Sequence, residues 1–185
     1  MLPDQTYLNV GKLAPARYLQ RAGQWDIALE SIAEVRTDTA TALRAEILVD
    51  RHAWRLDPPG EALEAVERLR ATDESLAVLL AGQLAYWQRV FDLGGDSILP
   101  DVRTAFAEAA HDKRFHGWAV FFGSVCCQYL VQDEGEAAEG FANALAIAHD
   151  GQDLLLESYA LRHQGELRQE SDRDGAVDLL RRSLA

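Results

Sequence analysis

The chain has 185 residues, of which 48% are hydrophobic, so it can bury a sizeable core as one domain or one continuous array. Its 30 acidic residues outnumber 18 basic residues, and the net charge of −12 disfavours nucleic acid and anionic membranes as partners. No run of 18 apolar residues occurs, and the first eleven residues lack the pattern of a secretion signal. The two cysteines, Cys126 and Cys127, are expected to be free thiols in a reducing compartment. We therefore expect a cytoplasmic protein.

Helix-forming residues fill the chain, whereas the alternating runs of Val, Ile and Thr that are typical of strands are missing. Turn-forming segments divide it into pieces of helical length after an N-terminal extension at 1–11. We predict an all-α domain over 12–185, with ten helices in five hairpins. The predicted helices span about 12–21, 25–36, 39–56, 60–71, 74–92, 100–112, 115–132, 135–149, 153–169 and 174–184.

One pattern recurs in the second helix of each predicted hairpin: a small residue, a bulky apolar residue four positions on, and a third residue three positions later. The first copy is Ala28, Ile32 and Val35. The later copies are Ala62, Val66 and Leu69; Val102, Phe106 and Ala109; Ala137, Phe141 and Ala144; and Ala176, Leu180 and Ser183. These positions share one helix face, where a small residue lets a neighbouring helix approach closely.

This pattern resembles the tetratricopeptide repeat family, whose two-helix unit has small, bulky and small residues in its second helix. Leu19, Gly23, Trp25 and Ala28 stand at the spacing that the family uses. The segment 159–185 also matches, with a shorter turn, while the middle hairpins depart further. The resemblance implies a right-handed α-solenoid of about five antiparallel hairpins, whose first helices line the concave side. It also implies a scaffold or adaptor that recognises proteins.

Motifs for catalysis are missing from the sequence. It has no phosphate-binding glycine loop, no nucleophile elbow, no zinc-binding His-Glu-x-x-His helix and no Cys-x-x-Cys pair. His111 and His116 are close in sequence, but a five-residue step leaves two side chains about 140° apart on one helix, and Asp112 between them indicates a turn. We expect no enzyme activity, cofactor or metal, with an unrecognised helical enzyme as the remaining alternative.

Aromatic residues concentrate in the first helices of the third and fourth predicted hairpins. The resemblance implies that these helices line the concave side, so Trp87, Trp118, Phe122 and Tyr129 are predicted to contact a ligand or peptide. The alternative is that they fill the space between hairpins. A central aromatic groove would also suit a second function, a regulator that senses a signalling peptide or a small metabolite.

Arginines form the second predicted surface. Arg17, Arg51, Arg55 and Arg162 lie on first helices of the predicted hairpins, where they are expected to bind a carboxylate or an acidic peptide terminus. The alternative is a solvated helix face on which each arginine pairs with a nearby Asp or Glu.

The predicted partner is a protein or peptide, and two features bear on its nature. The segment 115–161 contains no Lys or Arg but seven Asp or Glu residues, which favours a partner with a basic patch. The last helix carries an apolar stripe of Val177, Leu179, Leu180 and Leu184, which favours a cover: a second copy of the chain, another protein, or residues of a longer native chain. A homodimer through this helix is therefore predicted as well.

Overall fold

The computed structural model describes residues 13–93 and 101–184, and these two ranges contain ten α-helices and no strand. The prediction of an all-α fold is confirmed. The helices are α1 (Ala14–Arg21), α2 (Trp25–Ser31), α3 (Asp38–Arg55), α4 (Gly60–Leu69), α5 (Glu74–Val90), α6 (Val102–Ala109), α7 (His116–Cys126), α8 (Glu134–Gly151), α9 (Leu154–Arg168) and α10 (Arg173–Arg182). The chain continues from α7 into a π-helical turn at Cys127–Val131.

Aspartates cap the N-termini of four of these helices. The side chains of Asp73, Asp133, Asp153 and Asp172 each accept a hydrogen bond from the backbone N–H three residues later. This bond satisfies an amide that the first turn of a helix leaves without a partner, and such a cap stabilises a helix by about 1 kcal/mol. The start of α5 after Asp73 agrees with the prediction.

Helices α1 to α5 belong to a first compact unit, which ends at Asp101. Within it, α1 packs on α2, α3 packs on both α2 and α4, and α5 packs on α3 and α4. Helix α5 is buried on every side from Leu76 to Tyr86, as expected of a helix that is apolar all round.

Helices α6 to α10 belong to a second compact unit, which begins at Val102. Each of them packs on the next helix in the chain. Glycine permits the close approach of α9 and α10, since a Cβ atom on Gly165 would lie 2.9 Å from Leu180 Cγ and 3.1 Å from the Ala176 carbonyl oxygen. The first residue of the recurring pattern is buried in every helix that carries it, namely Ala28, Ala62, Val102, Ala137 and Ala176.

Four of the five predicted hairpins are packed helix pairs: α1 with α2, α3 with α4, α7 with α8, and α9 with α10. The third predicted pair is divided, because α5 lies in the first unit and α6 in the second. The solenoid, its handedness and its number of repeats stay predictions. The N-terminal extension at 1–11 lies outside the described residues. Among the described helices, none is long and apolar enough to cross a membrane.

Candidate functional site

Arg17 is buried in the first unit, with 7% of its surface exposed. Its guanidinium group donates hydrogen bonds to the Glu46 carboxylate on α3, which is 2% exposed. Gln20 extends the network by donating to Asp50 Oδ2 at 2.7 Å. Arg17 was predicted to bind a ligand, but its charge is instead neutralised inside the protein, at the junction of α1 and α3.

Arg51 and Arg55 lie at the end of α3 and bind carboxylates of the chain itself. Arg55 Nη1 is 2.8 Å from Asp26 Oδ2, and Arg51 contacts Asp26, Asp57 and Glu61. The hydrogen bond from Arg55 is the main reason why the pKa of Asp26 lies below its usual value. These pairs join the turns of the first two hairpins, and a role of Arg51 and Arg55 in ligand binding stays a prediction.

The predicted aromatic residues separate into the two units. Trp87 lies in the first unit, half-buried, with its ring stacked on Phe91 at 5.7 Å. Trp118 and Phe122 are buried in the second unit, and Trp118 Nε1 donates to Asp153 Oδ2 at 3.0 Å. Their burial agrees with the alternative reading, in which they fill the space between helices. Tyr129 differs from these residues because 46% of its surface is exposed.

Tyr129 lies on the π-helical turn that follows α7. Its hydroxyl donates a hydrogen bond to Glu166 Oε2 on α9 at 3.0 Å, and Arg162 Nε donates to Glu166 Oε1 at 3.0 Å. Two residues that were predicted for the site are therefore joined through a carboxylate that was not. We call Gln128, Tyr129, Arg162, His163 and Glu166 the tyrosine patch.

His163 forms the inner side of the tyrosine patch. Its ring stacks on Phe141 with the ring centres 4.9 Å apart, and its Nδ1 atom lies 3.0 Å from Gln128 Oε1 and 3.3 Å from Glu166 Oε2. Burial lowers the pKa of His163, although the Glu166 carboxylate acts in the opposite direction. Burial, together with Glu166, raises the pKa of Tyr129 to about 12. The tyrosine therefore stays a neutral hydrogen-bond donor at physiological pH.

A groove lies on another face of α7, between α6 and α8. It has a volume of about 460 Å³, and its lining includes Phe106, Ala119, Gly123 and Cys127. A Cβ atom added to Gly123 would meet nothing within 4 Å, so this glycine borders open space. We call this cleft the α6–α8 groove. Sequence reasoning missed it, although Ala119, Gly123 and Cys127 recur every four residues and thus share one face of the helix.

Cys126 and Cys127 are free and buried, as predicted. Cys127 lies in the α6–α8 groove, where burial and then the Glu136 carboxylate raise the pKa of its thiol. His116 Nδ1 lies 2.8 Å from the Ala110 carbonyl oxygen, in the turn between α6 and α7. Over 13–93 and 101–184, no group of three His, Cys, Asp or Glu side chains is placed to hold a metal ion.

The apolar stripe of α10 divides between the core and the surface. Leu179 is buried, whereas Leu184 and part of Val177 are exposed. The homodimer through this helix stays a prediction.

Comparisons with known proteins return no match: no family model, no curated protein and no solved structure matches the chain.

Proposed function

We propose that the protein is an interaction module, an adaptor or scaffold that binds a peptide or a segment of another protein at the tyrosine patch. One observation carries this proposal. An exposed tyrosine and an exposed arginine are held side by side by the carboxylate of Glu166. Tyr and Arg are enriched among the residues that contribute most to protein interfaces, because each combines a large contact area with hydrogen-bonding groups.

Rigidity supports the same proposal. A side chain that is ordered only on binding loses about 0.5–1.5 kcal/mol of binding free energy, and the hydrogen bond from Tyr129 to Glu166 removes part of that cost beforehand. The tyrosine also lies on a π-helical turn, a rare irregularity that often occurs at functional sites. By the resemblance noted above, α7 and α9 are first helices of neighbouring repeats, the helices that line the concave side.

Charge and cysteine chemistry further define the proposal. With a net charge of −12, the chain attracts a partner that carries a basic patch more strongly than a neutral or acidic one. The two free thiols suit a reducing compartment, so we assign the module to the cytoplasm.

The test is a selection from a phage-displayed library of random peptides on the full chain, with the enriched peptides then measured by calorimetry. We expect Tyr129→Ala to weaken their binding by about 30-fold, the effect of losing a residue that contributes 2 kcal/mol. Arg162→Ala should weaken binding as well. Tyr18→Ala is the matched control, since Tyr18 is an exposed tyrosine on α1, with 75% of its surface accessible.

Three results would contradict the proposal: no peptide is enriched, the enriched peptides bind Tyr129→Ala as well as wild type, or Tyr18→Ala weakens binding equally. Circular dichroism of each variant must show unchanged helicity. Tyr129→Phe keeps the ring and loses the hydrogen bond to Glu166. Its binding should fall between wild type and the alanine variant if rigidity contributes.

A further inference from the structure

The α6–α8 groove is open because the backbones of its two wall helices stay apart. Helices α6 and α8 both pack on α7 but not on one another. Helix α7 contributes the floor, and three of its four lining residues are small: Ala119, Gly123 and Ser124, with Val120 as the larger one. A floor of small residues lets a helix lie close to the floor helix, because backbones approach most closely where side chains are short. The groove volume of about 460 Å³ exceeds that of any one side chain.

An ion pair closes one end of this groove. Arg103 Nη2 on α6 donates to Glu136 Oε1 on α8 at 2.7 Å, and both side chains are about half exposed. Such an exposed pair contributes about 0.2–1 kcal/mol, so a competing charge can replace either member at little cost.

Negative charge is concentrated at the start of α8, the part of the helix that carries Glu136. The start of α8 carries Asp133, Glu134 and Glu136, and the positive end of the helix dipole stabilises carboxylates at this position. Glu139, one turn further on, lies beyond that effect and is exposed. The segment 102–151 contains seven Asp or Glu residues and three Lys or Arg residues, so its formal charge is −4. Arg103 is the cation that the lining contains.

We infer that the α6–α8 groove is a docking site for a helix of another protein, with small and apolar side chains on one face and Lys or Arg beside them. The apolar stripe covers Ala107, Val120 and Gly123, apolar lining residues that are not already buried, and the basic residues approach Glu136. Charge complementarity favours this occupant over a neutral or acidic helix. The site does not rest on the proposed function, because it shares no residue with the tyrosine patch.

Gly123→Leu is the decisive substitution. Because a Cβ atom at Gly123 would meet nothing within 4 Å, a leucine side chain can enter the groove there and occupy part of its volume. Gly151→Leu is the matched control, since Gly151 is also a helical glycine with open space around it, at the far end of α8. Gly123→Ala adds one methyl group to the same space and serves if the leucine variant does not fold.

The experiment is a selection from a phage-displayed library of helical peptides randomised on one face. The full wild-type chain is the target, and Gly123→Leu removes peptides that bind elsewhere. We expect the enriched helices to carry Lys or Arg next to an apolar stripe and to bind Gly151→Leu like wild type. Glu136→Gln should weaken their binding about 1.4- to fivefold, the range of an exposed ion pair, whereas Arg103→Ala should not weaken it. Higher salt should weaken binding to wild type.

Several outcomes would overturn the inference. No enrichment over Gly123→Leu means that the groove does not dock a helix, and enriched helices that are acidic or uncharged mean that the assigned partner chemistry is wrong. A wild-type dimer that Gly123→Leu converts to a monomer in sedimentation identifies a second copy of the chain as the occupant. Since Tyr129 does not line the groove, the binding data of Tyr129→Ala test the proposed function, and Gly123→Leu tests the groove.

Discussion

The ion pair between Arg17 and Glu46 leads to the most specific prediction, because the two residues are only 7% and 2% exposed. In Arg17→Met, the Glu46 carboxylate remains buried without its guanidinium partner. Removing one partner of a buried ion pair costs about 3–5 kcal/mol, since the remaining charge is not compensated. We expect this loss in the free energy of unfolding of the first unit.

The double variant Arg17→Met with Glu46→Leu separates lost charge pairing from lost packing. When both charges are replaced by apolar groups of similar size, a buried pair is often neutral or better for stability. The double variant should therefore recover most of the loss. Arg68→Met is the control, because the i,i+4 pair of Arg68 with Glu64 is exposed and contributes about 0.3–0.5 kcal/mol.

Urea denaturation followed by tryptophan fluorescence measures these changes. Trp25, Trp54 and Trp87 report on the first unit, and Trp118 reports on the second. If Arg17→Met costs no more than Arg68→Met, or if the double variant is as unstable as the single one, then the buried pair does not hold α1 to α3. An Arg17 variant of unchanged stability that loses peptide binding would restore the prediction of a ligand-binding residue.

Three further predictions concern the second unit. Burial lowers the pKa of His163 in the folded chain below its ordinary value of 6.5. Below about pH 6.5 the unfolded chain therefore binds more protons than the folded chain, so the thermal midpoint should fall as the pH drops. His163→Gln should flatten this dependence, and an equal slope in both proteins would contradict it. Gly165→Ala should destabilise the chain by about 1–3 kcal/mol through its contact with α10, whereas Gly123→Ala should stabilise it by about 0.4–1 kcal/mol, as urea denaturation would show. The alkylation rate of Cys127, measured by peptide mass spectrometry, should be low at neutral pH because the thiol pKa is raised. It should be higher in Glu136→Gln, and equal rates in the two proteins would show that this carboxylate does not raise the thiol pKa.

The helices were predictable because their signals are local. Asp73 and Asp153 are typical N-terminal caps. Gly23 lies in the turn between α1 and α2 with a φ of 72°, a conformation that favours glycine. The repeating pattern predicted which face of each second helix is buried. The division between α5 and α6 has no such local signal, because it depends on which helices pack together and not on where each one begins.

The site was less predictable because its contacts join distant residues. Arg162 and Glu166 are four apart on one helix, a spacing that predicts an ion pair. Tyr129 and Glu166 are 37 residues apart, and only the packing of α9 beside the π-helical turn brings them together. The burial of Arg17 was not predictable either, because the sequence pattern does not show that Glu46, 29 residues away, compensates its charge.

The enclosed helix α5 has a consequence for how the chain is made. Its buried stretch from Leu76 to Tyr86 is an apolar segment that would promote aggregation if it stayed exposed. Its packing partners, α3 and α4, precede it in the chain, so both have left the ribosome when α5 emerges. The order of the helices thus gives this apolar segment a surface to fold onto at once. A circular permutation that moved α5 ahead of α3 would remove that protection and should lower the soluble yield.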